Sequence, residues 1–218
     1  MSRFFGGPPF RDRREAGKRL SRKLSGYRGQ SPVVFALPRG GVPVAFEVAA
    51  ALDAPLDVVI ARKLGAPGQP ELGIGAVAQG GKRVLNAEIV DRLSISEEYI
   101  ELATRRGMGE IKAAERRFMV GERRTSLRGK TAILVDDGLA TGVTARAAIL
   151  AAKGMGPEKT ILAAPVCARQ TSGALRRGVD GLVCLESPED LGAIGFWYRD
   201  FAQVSDEEVV RLLEASRR

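Results

Sequence analysis

The segment Ile133-Leu134-Val135-Asp136-Asp137-Gly138-Leu139-Ala140-Thr141-Gly142-Val143-Thr144 constrains this chain more than any other stretch. An apolar run over 131–135 ends abruptly in two acids. A short glycine-containing loop comes next, and 144–153 has helical composition until Gly154 and Gly156-Pro157 stop it. Strand, tight turn and helix make half of a parallel βαβ unit, and in such sheets ligands bind beyond the carboxyl ends of the strands. Packing does not explain two adjacent carboxylates at a buried strand end, because like charges repel and desolvation is costly. Vicinal hydroxyls of a ribose would use them, since two carboxylates accept two hydroxyl protons side by side. The loop N–H groups, with the Thr141 and Thr144 hydroxyls, can wrap a phosphate dianion at the helix N-terminus. Gly138 and Gly142 let the backbone come close to it.

The rest of the chain supplies the sheet that this unit needs. Short apolar runs at 33–37 and 56–61 flank a helical stretch at 43–52, which predicts strand, helix, strand with short links. Further strands are expected at 160–166 and 182–185, with a helix at 169–177 between them. The runs 74–79 and 83–85 flank Gly80-Gly81 and read as a hairpin inserted into the alternation. A long helical segment over 94–120 carries the apolar stripe Ile100, Ala103, Ile111, Ala114 and Phe118. Ser94 and Glu97 fit a capping box for it, and Gly107 and Gly109 predict a break or kink. Residues 206–215 read as a last helix with Ser205 as N-cap. The expectation is one α/β domain over 1–218: a doubly wound, mainly parallel five-stranded sheet with helices on both faces. To it are added a basic N-terminal arm (1–30), an inserted helical segment (90–128) and a small hood whose C-terminal portion, with the last helix, lies in 186–218.

Composition narrows the chemistry. There is no histidine, which removes Ser-His and Cys-His nucleophiles and any His-ligated zinc. The two cysteines, Cys167 and Cys184, sit in apolar runs and read as buried free thiols in a reducing cytosol. What remains is carboxylate, lysine, arginine and backbone chemistry, with Mg2+ as the natural metal. The net charge of +8 is concentrated in 1–30 and 105–130, which carry balances of +7 and +6, while the remainder is acidic. Those segments are either a footprint for nucleic acid or acidic lipid, or two solvated helical faces whose field draws in an anionic substrate; the second is favoured. No apolar run is long enough to span a membrane, and the basic N-terminus lacks the apolar stretch of a secretory signal. The pattern Gly73-Ile74-Gly75-Ala76-Val77-Ala78 mimics a dinucleotide fingerprint, but no helix comes after it.

The strand, acid pair and Thr-Gly-x-Thr loop resemble the PRPP-binding signature of the type I phosphoribosyltransferases. A Walker A loop would instead end in Gly-Lys-Ser/Thr. The resemblance covers roughly 31–80 and 130–185 and is weak over 1–30 and 90–128. It implies that Asp136 and Asp137 hold the ribose and that Gly138, Leu139, Ala140, Thr141, Gly142, Val143 and Thr144 hold the 5'-phosphate. It makes Pro38-Arg39-Gly40-Gly41 the pyrophosphate loop, with a cis Pro38–Arg39 peptide. Arg62 and Lys63, read as ending the second strand, would face the leaving pyrophosphate, and 65–71 would be a mobile catalytic loop. The aromatic tail Gly195-Phe196-Trp197-Tyr198-Arg199-Asp200-Phe201 resembles the hood of hypoxanthine-guanine members. By that likeness Trp197, or Phe196, stacks on the acceptor and Asp200 assists the metal; packing of the last helix is the alternative. Asp136, Asp137 and Asp200 are the implied Mg2+ contacts, mostly through substrate oxygens and water.

The implied reaction is displacement of pyrophosphate from PRPP by a nitrogen acceptor, most simply a nucleobase, with Asp136, Asp137, Arg39 and Lys63 as the catalytic set. One departure matters: Ala140 stands where hypoxanthine-guanine members keep an aspartate, so the acceptor is not named. The competing readings are a PRPP-sensing regulator with a basic nucleic-acid surface and a transferase acting on a non-base acceptor. A homodimer is a further expectation of the family, and a cytoplasmic setting is expected from the reading of both cysteines as free thiols.

Overall fold

The five apolar runs pair side by side because they have nowhere else to bury both faces. The computed structural model describes residues 8–118 and 127–217. The basic segments 1–30 and 105–130 therefore lie partly outside the described residues. The elements run in chain order as α1 (Arg13–Leu24), β1 (Pro32–Ala36), α2 (Gly41–Leu52), β2 (Leu56–Val58), β3 (Ala61–Ala66), β4 (Gln69–Ala78) and β5 (Lys82–Leu85). Then come α3 (Ala87–Arg92), α4 (Glu97–Arg117), β6 (Thr131–Val135), α5 (Val143–Lys153), β7 (Lys159–Val166), α6 (Arg169–Arg176), β8 (Gly181–Glu186) and α7 (Asp206–Ala215).

Strands β2-β1-β6-β7-β8 form one parallel sheet in that order. Successive residues of β6 serve opposite cores. Ile133 and Val135 join Val34, Ala36, Ile161 and Ala163 on the face covered by α1, α2 and α7. Ala132 and Leu134 join Val33, Phe35, Leu162 and Ala164 on the face covered by α5 and α6. Burial on both faces is why these strands read as continuous apolar runs rather than alternating ones. The strand order reverses between β1 and β6, and open α/β sheets bind ligands outside the carboxyl ends of the strands at that point.

A second sheet, β3-β4-β5, is antiparallel. The expected hairpin is its β4–β5 half. The other half corrects two expectations. The second parallel strand stops at Val58, so Arg62 and Lys63 lie inside β3 and do not end that strand. Most of 65–71 is not a free loop, because Gly65 pairs with Gly73 and Ala66 with Gln69 after two register shifts. Turn-forming residues concealed that pairing, since bulges accept glycine where a regular ladder would not.

Helix α4 packs chiefly on β3 and β4, and its Arg117 pairs with Asp206 at the start of α7. Its predicted stripe is observed: Ile100, Ile111, Ala114 and Phe118 are buried and Ala103 packs beside them. Its expected kink is absent. Gly107 lies within an unbroken helix, and a Cβ there would come within 2.8 Å of Val77 Cγ1, so the glycine permits close helix–sheet packing. The cap also moves. Ile95 N–H returns to Val90 O to close α3, so α4 starts at Glu97 with Ser96 accepting from Tyr99 N–H at 3.3 Å. Ser94 lies in the linker between the helices. The last helix matches its expectation, Asp206–Ala215, with Ser205 accepting from Glu208 N–H.

The cysteines are a further correction: Cys167 and Cys184 form a disulfide between the end of β7 and β8. Parallel neighbours 17 residues apart in sequence meet across the sheet, a proximity that the apolar context of each cysteine did not reveal. With the thiols paired, the reducing-compartment argument built on them no longer applies. No helix among the described residues is long and apolar enough to cross a membrane.

Candidate active site

The carboxyl ends of β1 and β6 are adjacent, so the loops leaving the two strands must share one space. Leu37 N–H donates to Val135 O at 2.8 Å and ties the two exits together. The Pro38–Arg39 peptide after β1 is cis, as the resemblance implies. Gly40 then passes so close to the acid pair that a Cβ on it would overlap Asp137 Oδ2. A Cβ on Gly41 would lie 2.6 Å from Val135 O and 3.3 Å from Asp136 Oδ1. Two segments remote in sequence therefore touch through their glycines, and any side chain at Gly40 would collide with the carboxylate.

The acid pair is differently placed than a surface pair. Asp137 is 8% exposed, while Asp136 keeps part of its surface open to solvent. Asp137 N–H donates to Asp136 Oδ1 at 2.9 Å. Burial, and after it the neighbouring Asp137 charge, holds the Asp136 carboxyl well above the usual carboxylate range. Burial raises Asp137 as well, against the opposing pull of Arg13.

Sequence reasoning missed that arginine. Arg13, in the first turn of α1, donates from Nε to Asp137 Oδ2 at 2.8 Å, with the two side chains only 11% and 12% exposed. Its Nη1 donates to Ala202 O at 2.7 Å, and its guanidinium carbon sits 3.8 Å from the centre of the Phe201 ring. Tyr198 was missed too: its hydroxyl donates to Asp137 O at 2.6 Å, and burial raises its pKa. Both partners are remote in sequence. Nothing local distinguishes Arg13 from the other basic residues of the arm.

The 138–144 loop is pinned at its base. Leu139 N–H donates to Val166 O, Ala168 N–H donates to Leu139 O, and the Thr171 hydroxyl donates to Ala140 O. At its far end Gly142 takes φ 70° and provides no side-chain cap for α5. The first-turn N–H groups, flanked by Thr141 and Thr144, thus stand as an uncapped anion cradle.

The candidate cations are more loosely held. Arg39 Nη1 lies 3.7 Å from Asp206 Oδ1, lining a cleft of about 340 Å³ with Gln203, Val204 and Ser205. Asp206 also pairs with Arg117. Arg62 Nε pairs with Glu110 at 3.3 Å, and Lys63 Nζ with Glu71 at 2.9 Å. The contacts of Arg62 and Lys63 thus run to carboxylates of α4 and β4 and not to the acid pair.

The tail separates its aromatics. Trp197 is 5% exposed, its indole N–H donates to Leu191 O at 3.1 Å, and it packs with Phe10, Val166 and Tyr198. That corrects its expected role, because a ring covered on its faces by core cannot stack on an acceptor. Phe196, at 62% exposed, is the open aromatic. Asp200 is exposed, and its Oδ1 accepts from Ala202 N–H. The arm and tail are laced by Phe10 N–H to Trp197 O, Arg199 N–H to Phe10 O and Asp200 N–H to Arg11 O. Among the described residues no group of three or more potential ligands forms a metal cage. Two adjacent carboxylates beside an anion cradle suit Mg2+ shared with substrate phosphates, since that ion keeps several non-protein ligands.

Comparison with known proteins meets the same segments. A family model for the phosphoribosyl transferase domain matches residues 12–198. A Mycobacterium tuberculosis protein bearing the name putative phosphoribosyl transferase, recorded in strains H37Rv and CDC 1551, is 43% identical over 209 residues, 96% of this chain. The match covers 47% of that protein, so the chain spans about half the length of these curated relatives. A crystal structure of the Thermus thermophilus protein TT1426 superposes with a TM-score of 0.79 at 38% identity, covering 94% of this chain and 97% of that one.

Proposed function

The chain belongs to the phosphoribosyl transferase domain family, and from that premise we propose that it transfers the 5-phosphoribosyl group of PRPP to a nitrogen acceptor, with a nucleobase as the first candidate, releasing pyrophosphate. The observation that carries the reading is the contact of Gly40 with the Asp137 carboxylate. It sets a loop suited to pyrophosphate against a loop suited to a ribose 5-phosphate, at the strand-order reversal.

In this reading the uncapped N-terminus of α5 and the hydroxyls of Thr141 and Thr144 hold the 5'-phosphate. The acid pair accepts the ribose hydroxyls and its negative charge faces the sugar ring. The C1–oxygen bond to pyrophosphate breaks as the acceptor nitrogen closes on C1 and gives up its proton to solvent, and positive charge develops on the ring in between. Asp136 and Asp137 stabilise that charge, and Arg39 and Lys63, released from their present carboxylate partners, neutralise the departing pyrophosphate. Bound Mg2+ would add charge neutralisation on the phosphate oxygens, with Asp136 and Asp137 as its protein contacts. Phe196 is the exposed aromatic available to an acceptor.

The test is a panel of nucleobases assayed for PRPP-dependent pyrophosphate release. Release with one base supports the proposal and names the acceptor. Release only with simple amines or phosphate would replace the nucleobase by another acceptor. Absence of release with every acceptor, together with PRPP-dependent binding of RNA or DNA, would make the protein a sensor and overturn the enzymatic reading.

A further inference from the structure

The Arg13–Asp137 pair is not an ordinary helix tether. Asp137 Oδ2 is fixed twice, by Arg13 Nε at 2.8 Å and by the backbone of Gly40, where no Cβ fits. Arg13 is fixed in turn by Ala202 O and the Phe201 ring, so the carboxylate is held from α1 and from the tail at once. Tyr198 adds a hydrogen bond to the same residue's carbonyl. Arg13 and the Gly40 backbone thus crowd that carboxylate oxygen from two sides. Asp136 differs, because it retains open surface and its Oδ1 is turned inward to Asp137 N–H.

We propose that Arg13 is a positioning residue of the ribose subsite: it clamps Asp137 against Gly40, so that the acid pair presents Asp136 as its open carboxylate to the sugar. The inference rests on the PRPP reading of the site and deepens it. The second acid then serves as the anchor through which α1 and the tail set the geometry of the first. Arg13 touches no reacting atom in this arrangement. Its effect reaches the sugar through Asp137.

The experiment compares wild type with Arg13→Gln, Arg13→Lys and the double variant Arg13→Gln/Asp137→Asn. PRPP binding is measured by calorimetry with Mg2+ present, and inorganic phosphate binding is measured in parallel. Arg13→Gln should weaken PRPP about tenfold or more, the scale of one charge-assisted hydrogen bond, while phosphate binding at 138–144 stays within about twofold. Arg13→Lys should recover most of the loss. The double variant, which removes both members of the pair and so leaves neither without its partner, should fold and bind PRPP better than Arg13→Gln alone. Wild-type PRPP affinity in Arg13→Gln would overturn the proposal. A parallel loss of PRPP and phosphate in both Arg13→Gln and the double variant would also overturn it, reducing Arg13 to a fold-holding residue. Failure of the wild type to bind PRPP at all would instead sink the reading of the site, and this inference with it.

Discussion

The two ends of the candidate site are built by opposite means. At the end proposed for the sugar, Asp137 is buried, paired with Arg13 and pressed against Gly40, and the 138–144 loop is pinned by Val166, Ala168 and Thr171. At the end proposed for pyrophosphate, Arg39, Arg62 and Lys63 are half-exposed and rest on Asp206, Glu110 and Glu71. Buried pairs are costly to break, about 3–5 kcal/mol for loss of one partner, whereas exposed pairs contribute about 0–1 kcal/mol. The difference is between a preformed cradle and a set of cations parked on weak partners. A ligand that must be gripped as it leaves suits the second arrangement, because the cations can change partners at small cost.

The rigidity of the sugar end is the first half of the comparison to test. The disulfide ties the end of β7, whose neighbour Ala168 donates to Leu139 O, to β8. Its reduction should lower the unfolding free energy by about 3 kcal/mol, as expected for closing a loop of this length, in urea melts with and without reductant. An unchanged midpoint would mean that the loop needs no such staple. At the other end, Arg39→Ala should slow PRPP-dependent pyrophosphate release about 30-fold, equivalent to about 2 kcal/mol, with the melting temperature nearly unchanged. A variant that melts early would show that Arg39 is structural and would erase the distinction.

A smaller effect concerns Asp136. Its folded pKa is raised by burial and by Asp137, so the folded state binds the proton more tightly than the unfolded chain does. The stability that Asp136 contributes should therefore be fully present below the ordinary carboxylate pKa and be lost as pH rises through the raised value. Asp136→Asn should flatten that fall and leave the protein more stable than wild type at neutral pH, read from melts across a pH series. The smallest effect is expected from Glu71→Gln. Stability should change by less than about 0.5 kcal/mol while Lys63 is released and pyrophosphate binds about twofold tighter.

Sequence legibility divides along the same line. The β6–α5 unit and the α7 cap were readable because each depends on neighbours in sequence, an apolar run before a glycine-containing turn and a serine before an acidic first turn, whereas the cis peptide came only from the family resemblance. The β3–β4 pairing was not, because its bulged register is set by contacts of Gly65 and Ala66 with 69–73 rather than by alternation. Arg13 and Tyr198 act across 124 and 61 positions, respectively, and carry no local signature. Trp197 was misplaced for a physical reason: an aromatic-rich tail can cover a ligand or a core, and only the packing of Phe10 and Val166 around it decides for the core. The cysteines failed similarly, since an apolar context describes a buried thiol and a buried disulfide equally well.

Whether the acid pair is the ribose end of a PRPP site is decided by titration calorimetry of PRPP with Mg2+ into wild type and Asp136→Asn/Asp137→Asn. Saturable binding to the wild type is expected, and none to the double variant, whose circular dichroism and melting show an intact fold. Wild-type PRPP affinity in that folded double variant would contradict the claim.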